Sequence, residues 1–493
     1  MLERIKTGIL VVLVLSSIIL TYRVWFGVPP LEDGKMTGYE YLYFADPYLP
    51  EEIVTPSEII FTSKTPEPSE PAVTSISSFR EEHVFKPGEE EYRRFWAGGV
   101  SLLKSLKYQD INVISDEDRV LLNRETAVKI SFCFSISLPL AFLVPELSSL
   151  ALEIRRVDFF PNGENCLVLL EGEEVFAANI LMSFVSEETA GFFYLQKPCL
   201  YYCLPDVLTL DLSGSGFLLS DGPLSEAEVG EEGAAASGFV IQQGIDGVEK
   251  DNEYFLLEIN NKGELRVPLG DLQASEIILE KEYIDRDQLV KALFFDQSMA
   301  RRIEERDGAV FFTDGEKGLR IYPDGLIEYT APKLEQPSLS ISFNTVLQKG
   351  TENLSLFGGW FPETYLTGAE RQSQGYRLIW KNYFNGLPLQ GDNAGSEMWI
   401  NEQGVFFYQR NFYNLPEGMG DIKSFRSFEE ALAQAVFLYK EFSLRDDGVL
   451  LEIEPVYYLT VQGEKNVVAT PAWCISFEGM EKLYLHWLTL NPL

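Results

Sequence analysis

Histidine is nearly missing from this chain: His83 and His486 are the only two among 493 residues. Two imidazoles cannot build the usual zinc triad unless acids complete it. His83 lies in the polar stretch "REEHVF" and reads as a surface residue, while His486 alternates with Leu485 and Trp487 and reads as structural. Cysteine is scarce and odd in number, at five. Cys133, Cys166 and Cys474 sit in apolar, strand-like runs and read as small core residues. Cys199 and Cys203 in "CLYYC" could pair, although the alternation around them and the short loop argue against it, and no histidine is near to make a metal pair. No disulfide framework is expected. Basic residues are outnumbered, 40 Lys and Arg against 75 Asp and Glu, for a formal charge of −35. That balance repels nucleic acid and anionic lipid, and it sets aside a nucleic-acid function. Catalytic signatures are missing too: there is no G-x-S-x-G, no H-E-x-x-H, no P-loop and no Gly-rich dinucleotide turn. "TDGEKG" and "YPDGLIE" share the composition of calcium loops but lack their alternating acids and closing Glu, so they read as hairpin turns. Neither a metal site nor a cofactor is expected.

One long apolar run is present, and it sits near the start. Thr7 to Tyr22 carries no charge, and apolar character resumes past Arg23 with Val24, Trp25, Phe26 and Val28. The 22 residues from Thr7 to Val28 make about 33 Å of helix, enough for about 30 Å of hydrocarbon. Arg23 can snorkel beside Tyr22 and Trp25 at the outer end, while Arg4 and Lys6 flank the inner end and favour a cytoplasmic N-terminus. "YRVWFGVPP" follows with aromatic bulk and no A-x-A pattern, which favours an uncleaved anchor over a cleaved signal. A second run, "FCFSISLPLAFLVPEL", is interrupted by Pro139 and Pro145 and is not expected to span. The expected topology is single-pass in the cell membrane, with the bulk of the chain extracytoplasmic.

The chain as a whole is 46% hydrophobic and rich in Phe and Tyr, as folded, strand-rich material is. The expected class is α+β: an N-terminal transmembrane helix, then a multi-domain ectodomain of antiparallel sheets with packed helices. Four parts are expected: 1–30, the cytoplasmic start and anchor; 31–212, an N-terminal ectodomain; 213–334, a central α+β domain; and 335–493, a C-terminal α+β domain. An acidic Gly/Ala-rich stretch at 213–238 has little to bury and reads as a linker or insertion in the central domain. "GEEEYRRFWAGGVSLLKSLK" leads with acids and trails with lysines, as a helix dipole prefers. Asn162-Gly163 marks a hairpin. "RDQLVKALFFDQSMARRIEE" is helical in spacing only in part, and 309–332 reads as three short strands joined by Asp-Gly turns. Toward the end, "GYRLIWKNYFNGLPL" and "SEMWINEQGVFFYQRNF" precede a helix with Ser427 and Glu430 as a capping box, and a hairpin follows. That order describes a compact unit, of which the central part could be a looser copy.

"FFDQSMARR", "FTDGEKGLRIYPDGLIEYTAP" and "VVATPAWCISF", behind a span ending in "LTYRVW", resemble the YycH family, membrane-anchored accessory proteins of the WalK/WalR two-component system in Gram-positive-type bacteria. The order "YFNGLPL…EMWINEQGVFFY…EEALAQA…PAWCISF" is similar to the PepSY-like α+β units of the related YycI proteins. The resemblance implies no catalytic residues. It implies a regulator that, with a YycI-like sister protein, restrains a WalK-type sensor histidine kinase through transmembrane-helix and ectodomain contacts, linked to cell-wall homeostasis. Within the span, Thr7, Leu10, Val14, Ser17 and Thr21 alternate three and four apart and so share one helix face. Ser17 and Thr21 form a small-x-x-x-small step that permits close helix approach, which makes this the expected partner-helix face. The competing expectation is an extracytoplasmic cell-wall enzyme or enzyme inhibitor with a passive anchor, for which Glu363 in "WFPETY" is the candidate carboxylate. A third, a ligand-binding sensor module, requires a concave pocket.

Overall fold

The computed structural model describes residues 52, 54–63, 80–115, 128–162, 165–181, 200–203, 207–211, 216–221, 239–242, 254–259, 265–269, 272–281, 285–294, 300–332, 341–359, 363–391, 394–411, 413–414, 420–443, 445, 447–462 and 466–493. The apolar run at 7–28, with Thr7, Leu10, Val14, Ser17 and Thr21, lies outside them, as do Cys199 and most of 213–238. Among the described residues, no helix is long and apolar enough to cross a membrane. They form an α+β fold rich in sheet.

One sheet holds nine strands among the described residues, in the order Arg266–Leu269, Leu200–Cys203, Arg80–Phe85, Glu58–Ser63, Val128–Pro139, Glu153–Asn162, Asn165–Glu171, Val175–Leu181 and Ile111–Val113. Its strands send alternate side chains to a shared face, with a register shift between Cys133 and Leu138. Ile59 and Phe61, Ile130 and Phe132, Val157 and Phe159, and Val168 and Leu170 enter one core. Helix α1, Glu90–Lys104, lies against that face through Tyr92, Phe95, Trp96, Leu102 and Leu103. The second apolar run, not expected to span, falls on the strand Val128–Pro139 and the short helix α2, Leu140–Leu143, that follows it. Burying the alternate residues of a strand satisfies the apolar half of "FCFSISLP" without a membrane.

Helix α3, Arg286–Leu293, is capped by the Asp285 carboxylate, which accepts from the Asp287 and Gln288 amides. The partial helical spacing of 286–305 matches this: the helix ends at Leu293, and Arg301–Glu304 is a strand paired with Val310–Thr313. Short strands Val310–Thr313, Gly318–Ile321 and Ile327–Thr330 follow as a meander, with Gly315 and Gly325 at positive φ in its turns. This meander joins Gly404–Arg410, Ser396–Asn401, Gly375–Phe384 and Thr364–Gln372 in an antiparallel layer. Helix α4, Phe343–Leu356, packs on it through Val346, Leu347 and Leu354, in the core that α1 also enters.

The second core belongs to helix α5, Phe428–Ser443, and the long hairpin Asp447–Gln462 with Asn466–Phe477. The capping box forms as expected: the Glu430 amide donates to Ser427 Oγ at 3.3 Å, and the Ser427 amide donates to Glu430 Oε2 at 3.2 Å. Strand Tyr254–Ile259 runs parallel to the hairpin, pairing Leu256 with Asp447 and Ile259 with Leu450. The C-terminal elements therefore occur in the order read from the sequence, but their packing divides. Leu378, Trp380 and Met398 belong to the first core, whereas α5 and the hairpin make the second.

Candidate functional site

Strand alternation that buries one face of the nine-stranded sheet necessarily presents the other. On Glu58–Ser63 that second face carries Glu58 and Ile60, and on Val128–Pro139 it carries Lys129, Ser131 and Cys133. Cys133 lies opposite Arg156, and Ser131 opposite Asp158. Arg156 in turn lies opposite Glu171. Charges thus occupy a continuous patch across four neighbouring strands.

Two carboxylates organise it, each shared by two cations. Glu58 accepts from Arg266 Nη1 at 2.7 Å and from Lys86 Nζ at 3.0 Å, using both oxygens. Asp158 accepts from Arg156 Nε at 2.8 Å, with Lys129 Nζ at 3.8 Å. The Arg156 Nη2 donates to Ser131 Oγ at 2.9 Å. Burial works to raise the Glu58 carboxyl, but Lys86 and Arg266 outweigh it and hold the group below its ordinary range. The same pairing outweighs burial at Lys86 and holds that ammonium above its ordinary range. Cys133 is no nucleophile here, because burial pushes its thiol up to about 12.

Facing this wall is the outer edge of the long hairpin. Ile453 and Tyr457 turn into the second core, while Glu452 and Glu454 turn the other way. A cleft of about 750 Å³ separates the two walls, with Lys86, Arg155, Arg156, Arg266, Glu58, Glu171, Glu452 and Glu454 in its lining. Glu452 is ion-paired with Lys482, and Glu454 Oε1 accepts from Gln390 Nε2 at 2.5 Å. Gln390 Oε1 accepts in turn from the Tyr484 hydroxyl at 3.0 Å. Burial, with Glu452 alongside, pushes the Glu454 carboxyl up to about 7 against the pull of Lys381 and Lys86. Beyond this partition lies a smaller pocket of about 330 Å³, into which Lys381, Gln390, Lys482 and Tyr484 project.

Glu363, the carboxylate weighed for sugar chemistry, has a different setting. Its backbone is left-handed at φ 64°, and its side chain pairs with Arg93 of α1. Tyr365 meets Tyr92 and Tyr383 edge-on, at 6.2 and 5.6 Å. These contacts describe aromatic anchoring between α1 and the meander layer. His486 Nδ1 accepts from the Leu488 amide at 3.3 Å, a structural role. Among the described residues, no group of three or more His, Cys, Asp or Glu is placed to hold a metal ion. The charged cleft was missed in the sequence because Glu58 and Arg266 lie 208 positions apart.

No family model matches the sequence, and no curated protein does. Solved structures do. YycH from Bacillus subtilis aligns over 90% of this chain and 99% of its own, with a TM-score of 0.56 and 14% identity. The chain has a YycH-like fold. An uncharacterized protein from Eubacterium rectale ATCC 33656 aligns over 50% of this chain and 92% of its own, at 11% identity and a TM-score of 0.35. The Bacillus megaterium YpeB C-terminal domain aligns over 42% of this chain and 95% of its own, at 11% identity and a TM-score of 0.25. Neither of these two similarities is strong enough to carry an argument. The YycH-like fold agrees with the resemblance read from "FFDQSMARR" and the meander that follows it.

Proposed function

We propose that this chain is a membrane-anchored, extracytoplasmic regulatory protein that restrains a WalK-type sensor histidine kinase, in company with a YycI-like sister protein. The observation that carries the reading is the YycH-like fold, which spans nine-tenths of the chain and nearly all of the neighbour. The uncharged run from Thr7 to Tyr22 supports the anchored, single-pass topology. Its face of Thr7, Leu10, Val14, Ser17 and Thr21 would meet the partner helices, since lipid offers no hydrophobic drive for pairing and small hydroxylated positions supply close packing instead.

No enzymatic role enters the proposal. Glu363 Oε1 is paired with Arg93 of α1. Co-purification from detergent-solubilised membranes tests the function: the chain should bring down a sensor histidine kinase. Recovery of the chain without any kinase, from cells in which both are expressed, would contradict it.

A further inference from the structure

We infer that the strand Arg301–Glu304 is a docking surface for a second copy of this chain, taken up antiparallel across a two-fold axis so that two meander layers join into one sheet. This goes beyond the proposed regulatory role and does not depend on it.

The edge itself is the first support. Among the described residues, Arg301–Glu304 pairs only with Val310–Thr313, and its four residues are all exposed. Ile303, the apolar one, is 47% exposed. Hydrogen-bond direction follows from the turn. The Glu305 amide donates to the Ala309 carbonyl at 2.8 Å, so Glu305 faces its own hairpin partner. Backbone groups alternate along an antiparallel strand, which turns those of Ile303 and Arg301 the same way and those of Arg302 and Glu304 outward. The strand has neither a proline nor a bulge against its partner, two of the devices that close an edge.

Charge then selects both the partner and the register. An incoming antiparallel strand must set outward-facing residues opposite outward-facing ones. Centred on this strand, a second copy can do so by opposing Arg302 to Arg302, Glu304 to Glu304, or Arg302 to Glu304. The first two put like charges directly opposite, which destabilises a sheet pair. The third matches Arg302 of each copy with Glu304 of the other. It also sets Ile303 on the axis, opposite itself, as a non-hydrogen-bonded pair with close side chains. Arg302 and Glu304 already lie 2.9 Å apart on one face, with 57% and 73% of their side chains exposed, so the matched register brings four alternating charges together. Charges on an edge strand serve to keep other strands away. Two of like sign would exclude every register of a second copy. One of each sign excludes the slipped registers and admits the matched one. The ladder is short, so the dimer is a weak, reversible one.

The experiment is sedimentation velocity of the full chain in detergent micelles over a range of protein concentrations, where wild type should dimerise reversibly. Arg302→Glu leaves only acids at the outward positions, and Glu304→Arg leaves only arginines. Each variant alone should raise the dimer Kd about tenfold, because two matched pairs become two opposed ones. Mixed in equal amounts, the two variants should associate as tightly as wild type, since every arginine again meets a glutamate. The net charge of −35 by itself predicts otherwise: Arg302→Glu would weaken association and Glu304→Arg would strengthen it. Both side chains are exposed, so neither change should disturb the fold, and far-UV circular dichroism verifies that. Cross-linking under mild oxidation reads the register. Ile303→Cys should link two copies, whereas Arg302→Cys should not exceed wild type, its two copies lying diagonally at about 7–8 Å, beyond disulfide reach. A wild type that stays monomeric, a Glu304→Arg variant that associates as well as wild type, or a mixture no tighter than its components overturns the inference, as does cross-linking no greater at Ile303 than at Arg302.

Discussion

Replacing Glu58 with Gln keeps the volume of the side chain and removes the one charge that Lys86 and Arg266 share. Both cations then meet a neutral amide where they shared a carboxylate. The exposures are small: 14% for Glu58, 10% for Arg266 and 29% for Lys86. Removing one partner from a fully buried ion pair costs about 3–5 kcal/mol. Nearly a third of Lys86 reaches water, so solvent screens part of that loss, and about 2–4 kcal/mol is the expected destabilisation. Urea unfolding of the full chain, followed by far-UV circular dichroism and by tryptophan fluorescence, measures it. The pH dependence adds a sharper requirement. The folded pKa of Glu58 lies below its ordinary value of 4.5, so its contribution is complete above 4.5 and disappears as pH falls through the folded value. Lys86 is held above its ordinary value of 10.5, so its contribution is complete below 10.5 and is lost only as pH rises through the raised value. The gap between wild type and Glu58→Gln should therefore be constant through neutrality and close in acid. A loss smaller than about 0.5 kcal/mol at pH 7, the range of ordinary surface substitutions, would refute the pairing as the organiser of the cleft.

Gly99 faces the Phe132 ring, and a Cβ built there would lie 2.0 Å from its Cε2. Alanine would gain about 1 kcal/mol of helix propensity, yet Phe132 is fully buried and wedged edge-on against Trp96 and Phe159 at 5.7 and 5.1 Å. Gly99→Ala should lose about 2 kcal/mol net by overpacking, and a stabilised variant in the same urea assay would contradict the α1 packing. Ser427→Ala removes one arm of the capping box and should cost about 1 kcal/mol, read from the thermal midpoint. Leucine at both Ser17 and Thr21 should weaken association with partner helices in a bacterial two-hybrid assay while membrane insertion is retained; unchanged association would remove the proposed face.

What the sequence disclosed was local. Ser427 and Glu430 are three residues apart, and Asp314-Gly315 and Asp324-Gly325 are turns in themselves, so propensity and short-range chemistry were enough to place them. Cys166 and Cys474, read as core residues, are buried, but Cys133, read the same way, is only partly buried and lies opposite Arg156 on the charged face. Long-range pairing was not legible. Nothing in "YFLLEI" indicates that it runs parallel to Asp447–Leu450, and the compact C-terminal unit read from element order is split between two cores for the same reason. The cleft was hidden twice over. Its Glu58, Arg156, Arg266 and Glu454 come from four distant segments, and among seventy-five acids no single carboxylate stands out. The alternation of "EIEP" carried a faint sign, since a strand that buries Ile453 must turn Glu452 and Glu454 toward something else.

The central claim, that this chain regulates a kinase through its N-terminal helix, is tested most directly by exchanging that helix. Residues 5 to 26 are replaced with an unrelated single-pass anchor, surface exposure of the remainder is verified by protease accessibility, and phosphorylation of the kinase's response regulator is measured in the same cells. Loss of control, with response-regulator phosphorylation matching that of cells lacking the chain, is the predicted result. Full retention of control by the exchanged protein would contradict the account and reduce the segment to a passive anchor.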